Sequence, residues 1–274
     1  MDSVSVIIPT YNRANTILKA VKSALNQTYN VHEIIICDDG STDNTYDLIS
    51  AIDDARIYWL PCGRNGRPAR PRNLGIAKAT GEWVAFLDSD DEWLPKKIEK
   101  QMYAANEKQV AAVCSNAFRV INEKKSNQLL LSNQKEYISF SDLCKVNSVI
   151  CSSAVVKKEV LNYTGYFPED QLLIALEDYA LWLRIATLSK FVYIFEPLLY
   201  YQDNPKDSIR EINKKSIWDQ NVLVFNDFLA WAERNPISQE YNRYARYIVR
   251  KMIINKYKER IKLLFNFKKD LLPF

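Results

Sequence analysis

The sequence predicts an α/β fold in which a mostly parallel sheet is covered by helices on both faces. Over the first hundred residues, short runs rich in β-branched residues alternate with segments whose apolar residues recur at helical spacing. The short runs are almost continuously apolar, which is typical of strands buried on both faces of a parallel sheet. With 274 residues, the chain is long enough for one large domain and an appended segment.

Strands and helices are predicted to alternate strictly in this region. The strands are SVSVIIP (3–9), EIIIC (33–37), RIYWLP (56–61) and EWVAFLD (82–88). The helices between them cover 14–28, 41–52 and 68–80. The second helix opens with residues that favour N-cap positions, and Gly81 ends the third.

The C-terminal segment differs from the rest of the chain in charge. Residues 241–274 hold ten Lys or Arg against two acids, whereas the preceding residues hold 27 basic and 31 acidic side chains. The segment also carries apolar residues at helical spacing: Ile248, Met252, Ile253, Tyr257, Ile261, Leu264 and Phe265. A basic amphipathic helix can bind an anionic membrane surface, or it can pack on its own domain with a solvated basic face. Nucleic acid is disfavoured, because the positive charge is confined to this segment.

Cysteine and histidine usage restricts the chemistry. The five cysteines form no CxxC pair, and we expect them to be reduced and mostly buried, as in the cytoplasm. The single histidine, His32, supplies neither a zinc cluster nor a His-centred triad. No apolar run approaches the roughly 18 residues that span a bilayer. Catalysis would therefore depend on carboxylates.

Polar sequence follows three of the predicted strands: PTYNR, DDGSTD and DSDD. Because ligands of parallel α/β sheets bind beyond the carboxyl ends of the strands, these segments define one candidate edge. Asp38 and Asp39 are suited to accept hydrogen bonds from ribose hydroxyls or a base N–H, although a plain turn with an Asp N-cap has the same sequence. No GxGxxG follows the first strand, which disfavours a nicotinamide dehydrogenase.

The DSDD sequence holds Asp88, Asp90 and Asp91 within four positions. Mg²⁺ or Mn²⁺ prefers carboxylate and phosphate oxygens and would turn the mutual repulsion of these side chains into coordination. Such a metal would also stabilise charge on a departing diphosphate. The alternative is a solvated acidic turn that caps the helix beginning near Pro95. A phosphatase of the haloacid dehalogenase type is disfavoured, because no Asp follows the first strand.

Four motifs, in order, resemble those of family 2 glycosyltransferases: SVIIPTYNR, EIIICDDGSTDNT, RNLGIAKATGEWVAFLDSDDEW and ALEDYALWLRIA. The resemblance implies an inverting enzyme of GT-A fold with a nucleotide-diphosphate sugar donor, usually a UDP-sugar, and a divalent cation, Mn²⁺ or Mg²⁺. It also implies a domain over 1–205, made of a nucleotide-sugar half (about 1–115) and an acceptor and catalytic-base half (about 116–205). A helical, basic extension would follow over 206–274.

The resemblance implies roles for individual residues. Tyr11 would stack on the base, and Asp38 or Asp39 would meet uracil and ribose. Asp90 would bind the metal directly, with Asp88 beside it on the ribose or on a metal-bound water. The nucleotide-sugar-binding set that it implies is Pro9, Thr10, Tyr11, Asp38, Asp39, Arg72, Asn73, Asp88 and Ser89.

Inverting transfer needs a carboxylate that takes the proton of the acceptor hydroxyl while the leaving group departs from the opposite face. ALEDYALWLRIA supplies two adjacent acids at the start of an amphipathic helix. By resemblance Asp178 is the catalytic base and Glu177 is the alternative, since sequence alone does not separate them. Both would also complement the dipole at the helix N-terminus.

Residues on the acceptor and phosphate sides are predicted by resemblance as well. The segment before the base motif supplies four acceptor-side candidates: Ser152, Ser153, Gly165 and Tyr166. After the base helix, Gln202 and Asn204 stand where the family often has Arg and His, which removes the usual imidazole near the metal. Asn204 or Ser208 could reach the diphosphate when this loop closes.

These observations predict an enzyme that moves a hexose, from UDP-glucose or UDP-galactose, to a lipid-diphosphate-linked glycan in surface-polysaccharide (O-antigen or capsule) biosynthesis. We expect it in the cytoplasm, bound peripherally to the inner face of the cell membrane through its basic tail. Two alternatives are the same transfer to a protein or soluble acceptor, and a nucleotide-sugar-binding protein with a degenerate site. Nucleotidyl transfer is disfavoured, because no glycine-rich, lysine-containing loop follows the first strand.

Overall fold

The chain forms two compact units, Met1–Lys214 and Lys215–Phe274. All candidate site residues belong to the first unit, whose boundary lies somewhat after the predicted division at 205. The computed structural model describes residues 2–122, 124–132, 135–203, 215–235 and 240–254.

The predicted alternation of strands and helices is present. The strands are β1 Val4–Thr10, β2 Glu33–Asp38, β3 Ile57–Pro61, β4 Trp83–Phe86, β5 Glu92–Trp93, β6 Ala112–Ile121, β7 Lys124–Leu129, β8 Tyr137–Ile138, β9 Val155–Lys157 and β10 Phe191–Gln202. The helices are α1 Ile17–Leu25, α2 Thr45–Ser50, α3 Ala69–Lys78, α4 Lys97–Lys108, α5 Phe140–Leu143, α6 Lys158–Thr164, α7 Glu177–Ile185 and α8 Ile217–Glu233. Short 3-10 helices cover Cys151–Ser153 and Gln171–Leu173.

One mixed sheet organises the first unit, in the order β3-β2-β1-β4-β9-β6-β10-β5, with β7 beside β6 and β8 beside β10. β3, β2, β1 and β4 are parallel, as predicted, and β10 is parallel to β6. β9 is antiparallel to both β4 and β6, and β5 is antiparallel to β10. The carboxyl ends of β1, β2 and β4 therefore lie at one edge.

An aromatic cluster fixes α7 against the sheet. The ring of Trp182 in α7 lies 6.0 Å from Phe86 of β4, 6.0 Å from Phe167 and 5.7 Å from Phe191 of β10, measured between centroids. Burial of a large apolar side chain contributes about 1.5–3 kcal/mol to stability. Because β4 leads directly into DSDD, this packing brings the base motif and the acidic cluster into the same part of the unit.

Close packing of α3 on β1 and β2 depends on a glycine. A Cβ atom at Gly75 would lie 2.6 Å from the Sγ of Cys37 and 2.8 Å from the Cγ2 of Ile7, closer than real Cβ atoms come. The bare backbone at this position lets the helix lie directly on the sheet. Since α3 also carries Arg72 and Asn73, the contact sets the distance of both side chains from the sheet edge.

The second unit is helical in its described part, which comprises α8 and a helix over 240–254. Ser216 caps α8 by accepting the N–H of Asp219, and Arg246 pairs with Glu233 at 2.6 Å. Among the described residues, none of the helices could span a bilayer.

The predicted apolar face of the tail is described only in part. Ile248, Met252 and Ile253 lie in the helix over 240–254, and Ile253 is exposed. The remaining members of that face, from Tyr257 onward, lie outside the described residues.

Candidate active site

The carboxyl edge of the parallel strands gathers the three polar segments. Pro9 and Thr10 end β1, where they pair with Cys37 and Asp38 at the end of β2. The carbonyl of Thr10 accepts the N–H of Asp39 at 2.8 Å. On its other side β1 pairs with β4, which continues into DSDD. PTYNR, DDGSTD and DSDD therefore form one surface, as the sequence predicted.

The carboxylate of Asp38 closes its own turn. It accepts the N–H of Ser41 at 3.0 Å and the Ser41 hydroxyl at 2.5 Å. Gly40, between them, has a φ of 80°, in the left-handed region that favours glycine. Asp38, one of the two acids predicted for uracil and ribose, is thus used for the structure of its own turn.

Asp39 faces the loop that follows β3. Its carboxylate accepts the N–H groups of Asn65 and Gly66, both at 2.7 Å, and pairs with Arg64. The guanidinium of Arg64 also lies 3.7 Å from the centroid of the Tyr11 ring. The Arg64 side chain therefore contacts both residues that were predicted to bind the nucleobase, Tyr11 and Asp39.

The aspartates of DSDD take different partners. Asp88 accepts a hydrogen bond from Arg72 at 2.5 Å, whereas Asp91 is buried and accepts the N–H of Gln202 at 2.8 Å. Burial, with the neighbouring Asp90 and Asp88 carboxylates, raises the pKa of Asp91 well above its ordinary value. The end of β10 is thereby tied to the acidic cluster. The loop candidates that follow, Asn204 and Ser208, lie outside the described residues.

Asp90 is the most accessible carboxylate of the cluster. Its side chain is 32% exposed and lies 3.7 Å from Arg13, while the intervening Ser89 is buried. Burial of its inner part and the nearby Asp88 carboxylate raise the pKa of Asp90 above its ordinary value. A second positive charge at this point would relieve that repulsion.

The donor set fits a hard divalent cation that is shared with a ligand. Asp90 and the partly exposed Asp88 offer the carboxylate oxygens that Mg²⁺ and Mn²⁺ prefer. Within the described ranges, no three His, Cys, Asp or Glu side chains converge as a metal cage. Protein ligands alone would not complete the shell, which suits a site that also uses phosphate oxygens.

Arg72 joins the acidic cluster to the start of α7. Its buried guanidinium donates to Asp88 and, at 3.0 Å, to the Oε1 of Glu177, and it lies 5.3 Å from the centroid of the Phe167 ring. Burial alone would lower the pKa of Arg72, but the two carboxylates help to hold it well above its ordinary value. The sequence predicted Arg72 beside the nucleotide; in this structure its polar contacts are to these two acids.

The two adjacent acids of α7 have different surroundings. Glu177 is buried, and its Oε1 is taken by Arg72. Asp178 is less buried, and its carboxylate accepts the N–H of Tyr179 at 2.6 Å. Asp178 is therefore the more accessible of the two to an acceptor hydroxyl.

Comparison with known proteins identifies the family. Residues 5–165, more than half of the chain, match the family described as Glycosyl transferase family 2. The chain belongs to this family.

Curated relatives of this family 2 chain include two Escherichia coli proteins. One is named UDP-Glc:alpha-D-GlcNAc-diphosphoundecaprenol beta-1,3-glucosyltransferase WfaP; it is 38% identical over 185 residues, which cover 68% of this chain and 70% of WfaP. WfgD, named for the same activity, is 34% identical over 182 residues, which cover 66% of this chain and 69% of WfgD.

Among solved structures, S. aureus TarS 1–349 in complex with UDP-GlcNAc has the same fold. It superposes with a TM-score of 0.72 at 18% identity, covering 92% of this chain and 71% of TarS. At that identity the likeness concerns the fold alone. The predicted GT-A fold, with a mixed sheet flanked by helices, is confirmed.

Asn73, predicted beside the nucleotide, is bound within the protein. Its Nδ2 donates to the carbonyl of Phe167 at 2.9 Å and to Glu169 at 2.8 Å, and its Oδ1 accepts the N–H of Phe167 at 3.0 Å. Both ends of the amide are therefore used to hold the segment that leads to the base motif. A nucleotide contact by Asn73 stays a prediction.

Ser152 and Ser153, which were predicted on the acceptor side, are fully buried in this structure, and a contact with the acceptor stays a prediction. The hydroxyl of Ser152 accepts the N–H of Asp88 at 2.9 Å, and the hydroxyl of Ser153 donates to the carbonyl of Ile150 at 2.7 Å. The 3-10 helix Cys151–Ser153 turns both side chains inward. The hydroxyl of Ser152 thereby supports the start of the DSDD loop.

Gly165 and Tyr166 contact the far end of α7. Arg184, in its last turn, lies 3.5 Å from the carbonyl of Tyr166, whose hydroxyl donates to Asn162 of α6. Two helical turns, about 10 Å, separate Arg184 from Glu177. An acceptor role for Gly165 and Tyr166 stays a prediction.

A buried polar network lies beneath DSDD and was not predicted from the sequence. Lys97 is fully buried in α4, where its Nζ donates to Gln101 at 2.7 Å and lies 4.1 Å from the centroid of the Trp93 ring. Gln101 in turn donates to the carbonyl of Ser153 at 2.7 Å, and Trp93 to that of Ser152 at 2.8 Å. Burial lowers the pKa of Lys97 well below its ordinary value. The i, i+4 spacing of Lys97 and Gln101 was the available signal, but it is typical of exposed helical pairs too.

Proposed function

We propose that this family 2 glycosyltransferase is inverting and metal-dependent, and that it moves glucose from UDP-glucose to a lipid-diphosphate-linked sugar. The names of the E. coli relatives support glucose over galactose and support this class of acceptor. The proposal is carried by the Arg72 bridge, because one guanidinium holds a carboxylate of the donor side, Asp88, and one of the base motif, Glu177.

On the donor side, Tyr11 would stack on uracil and Asp39 would accept the N–H of its ring. Asp90 and Asp88 would hold Mn²⁺ or Mg²⁺ against the diphosphate. When bound, the cation neutralises negative charge that grows on the departing UDP. Asp91 would keep these carboxylates in position through its bond to the end of β10.

On the acceptor side, Asp178 would accept the proton of the acceptor hydroxyl. The hydroxyl oxygen forms its bond to the anomeric carbon while the bond from that carbon to UDP breaks on the opposite face, so the configuration inverts. Glu177, paired with Arg72, would fix the start of α7 and with it the position of Asp178.

We also propose that the basic segment 241–274 binds the inner face of the cell membrane, where a lipid-linked acceptor would be found. In its described part, Ile253 and Ile254 expose apolar side chains next to the exposed Arg250 and Lys251. Each basic residue near an anionic surface contributes about 1 kcal/mol. The full-length protein should sediment with phosphatidylglycerol vesicles at low salt but not with phosphatidylcholine vesicles. Equal sedimentation with both, or with neither, would contradict this part of the proposal.

The enzymatic proposal is tested by incubating the purified protein with Mn²⁺, a panel of UDP-sugars and an N-acetylglucosaminyl diphospholipid, and by measuring UDP release and the glycolipid product. We expect UDP-glucose to be the preferred donor. Asp178→Asn should still bind UDP but lose transfer by about 10²–10⁴-fold, the usual contribution of a general base.

Asp53→Asn is the matched control, because Asp53 is an exposed acid before β3, at the opposite edge of the sheet. Its transfer rate should equal that of the unmodified protein. Undiminished transfer by Asp178→Asn would move the base to Glu177 or elsewhere. Failure of every donor to give a glycolipid would overturn the proposed reaction.

A further inference from the structure

We infer that Arg64 occupies the position of the nucleobase in the free protein and must be displaced before the donor binds, so that it sets the affinity for the base. The inference rests on the proposed function, in which Tyr11 and Asp39 receive uracil. No sequence motif pointed to Arg64. It follows from the contacts of this side chain with the two base-binding candidates.

The first contact is with the face of the Tyr11 ring. The guanidinium carbon of Arg64 lies 3.7 Å from the ring centroid, which is a stacking distance. A guanidinium is planar and stacks on aromatic faces much as a base does. While Arg64 is there, a base cannot lie against the same face of Tyr11.

The second contact is with the carboxylate of Asp39. That carboxylate is almost fully buried and accepts hydrogen bonds from Arg64 and from the N–H groups of Asn65 and Gly66. In uridine and in UDP-sugars the uracil N1 carries the ribose, so the ring keeps one N–H, at N3, which would need the place that Arg64 now takes on Asp39. The guanidinium thus makes both contacts expected of the base: stacking on Tyr11 and an N–H bond to Asp39.

The backbone and Cβ of Arg64 are packed against the DDGS turn, whereas its guanidinium is free to rotate. A Cβ atom at Gly40 would lie 3.3 Å from both the Cβ and the backbone N of Arg64, so the loop packs closely on the DDGS turn. The Arg64 side chain is nevertheless 49% exposed. Rotation of this side chain into solvent would open the base position without movement of the loop.

The test is the affinity for uridine, which lacks phosphates and therefore reports on the base position without the charge of the donor. Isothermal titration would compare the unmodified protein with Arg64→Ala and with Arg67→Ala. Arg67 is a matched control, since it lies in the same loop but its guanidinium donates to the carbonyl of Glu169 at 2.9 Å. We expect Arg64→Ala to lower the Kd for uridine by about threefold to tenfold, the range of a half-exposed stack and ion pair. Arg67→Ala should leave that Kd unchanged.

Weaker binding of uridine by Arg64→Ala would mean that Arg64 forms part of the base site, and an unchanged Kd would mean that it does not compete; either result overturns the inference. In both cases UDP binding and sugar transfer by the unmodified protein would leave the proposed function intact. If neither the unmodified protein nor Arg64→Ala binds uridine or UDP, the inference and the proposed donor fail together.

Discussion

The two acidic sequences at the sheet edge are held in different ways. In DDGSTD the partners are loop residues: Asp38 binds Ser41, three residues on, and Asp39 binds residues 64–66 of the loop that follows β3. In DSDD the partners come from distant elements, and the N–H that binds Asp91 belongs to Gln202, 111 residues away.

The two kinds of partner predict which half of the site tolerates substitution. The DDGSTD carboxylates bind their own loop and the loop that follows β3, so they keep their partners as long as these two loops are intact. The DSDD carboxylates instead depend on the packing of α3 and α7 on the sheet and on the position of β10 within it. We therefore expect substitutions around DSDD to affect catalysis and stability together, and those around DDGSTD to affect donor affinity alone.

The largest effect is expected for Asp90→Ala. It removes the accessible carboxylate of the proposed cation site, and loss of that charge stabilisation should lower the transfer rate by about 10³-fold. The measurement is the transfer rate across a Mn²⁺ titration, with Asp53→Ala as control. A Mn²⁺ dependence that survives in Asp90→Ala would place the cation elsewhere.

Arg72→Met should cause the second-largest loss of activity and the largest loss of stability. It leaves the carboxylate of Glu177 buried without its cation and should cost about 3–5 kcal/mol in the free energy of unfolding, with transfer reduced by about 10²-fold as the base motif loses its position. Urea unfolding and turnover are measured together.

The control for Arg72→Met is Arg56→Met, which removes an arginine that pairs with Asp54 two residues away, at 2.8 Å. A local, partly exposed pair of this kind is worth at most about 1 kcal/mol. Equal destabilisation by the two substitutions would remove the distinction between locally and distantly held acids.

Asp39→Asn should have a moderate effect that is confined to the donor. An amide in place of the carboxylate weakens the acceptor for the uracil N–H, and we expect the Kd for UDP to rise about tenfold. The Mn²⁺ concentration for half-maximal activity should stay the same. A matching change in the Mn²⁺ requirement would show that the two acidic sequences do not act separately.

The smallest effect concerns the support beneath DSDD and depends on pH. Burial lowers the pKa of Lys97 in the folded chain. When the pH lies between that lowered pKa and the ordinary value of about 10.4, the unfolded chain therefore holds a proton on Lys97 that the folded chain has lost. In that window the Lys97 contribution to the free energy of unfolding rises with pH. Lys97→Met abolishes this contribution.

The measurement for Lys97 is the melting temperature across the alkaline range. The melting temperature of the unmodified protein minus that of Lys97→Met should increase as the pH rises through the alkaline range towards the ordinary lysine pKa. Lys100→Met is the control, since Lys100 lies on the same helix but its side chain is 37% exposed and pairs with Glu196. An equal pH trend for both variants would contradict a role for burial.

Sequence patterns were sufficient for the fold and for the edge that carries the site. The apolar runs of β1 to β4 and the polar segments after them are local signals, so the parallel strands and the gathering of Tyr11, Asp39 and Asp88 could be predicted. The Arg72 bridge could not, because its two partners lie 16 and 105 residues away and no spacing rule connects them.

The burial of small polar residues could not be predicted from the sequence either. Ser152 and Ser153 have no periodic apolar pattern around them, and small hydroxyl residues are more often exposed than buried. Lys97 was missed for a related reason, since a lysine is almost never fully buried without a partner. The hydroxyl of Ser152 and the carbonyl of Ser153 bond to distant elements, and Lys97 is connected to Ser153 through Gln101. No local sequence pattern shows these contacts.

Gly75 makes the activity of this enzyme sensitive to a substitution outside the site. A single methyl group at this position would clash with Cys37 and Ile7 and push α3 away from the strands on which it packs. The helix would tilt outward, and the guanidinium it carries would be drawn away from both carboxylates. Activity could thus be lost through an alanine that touches neither sugar nor nucleotide, with every reactive group still in the sequence.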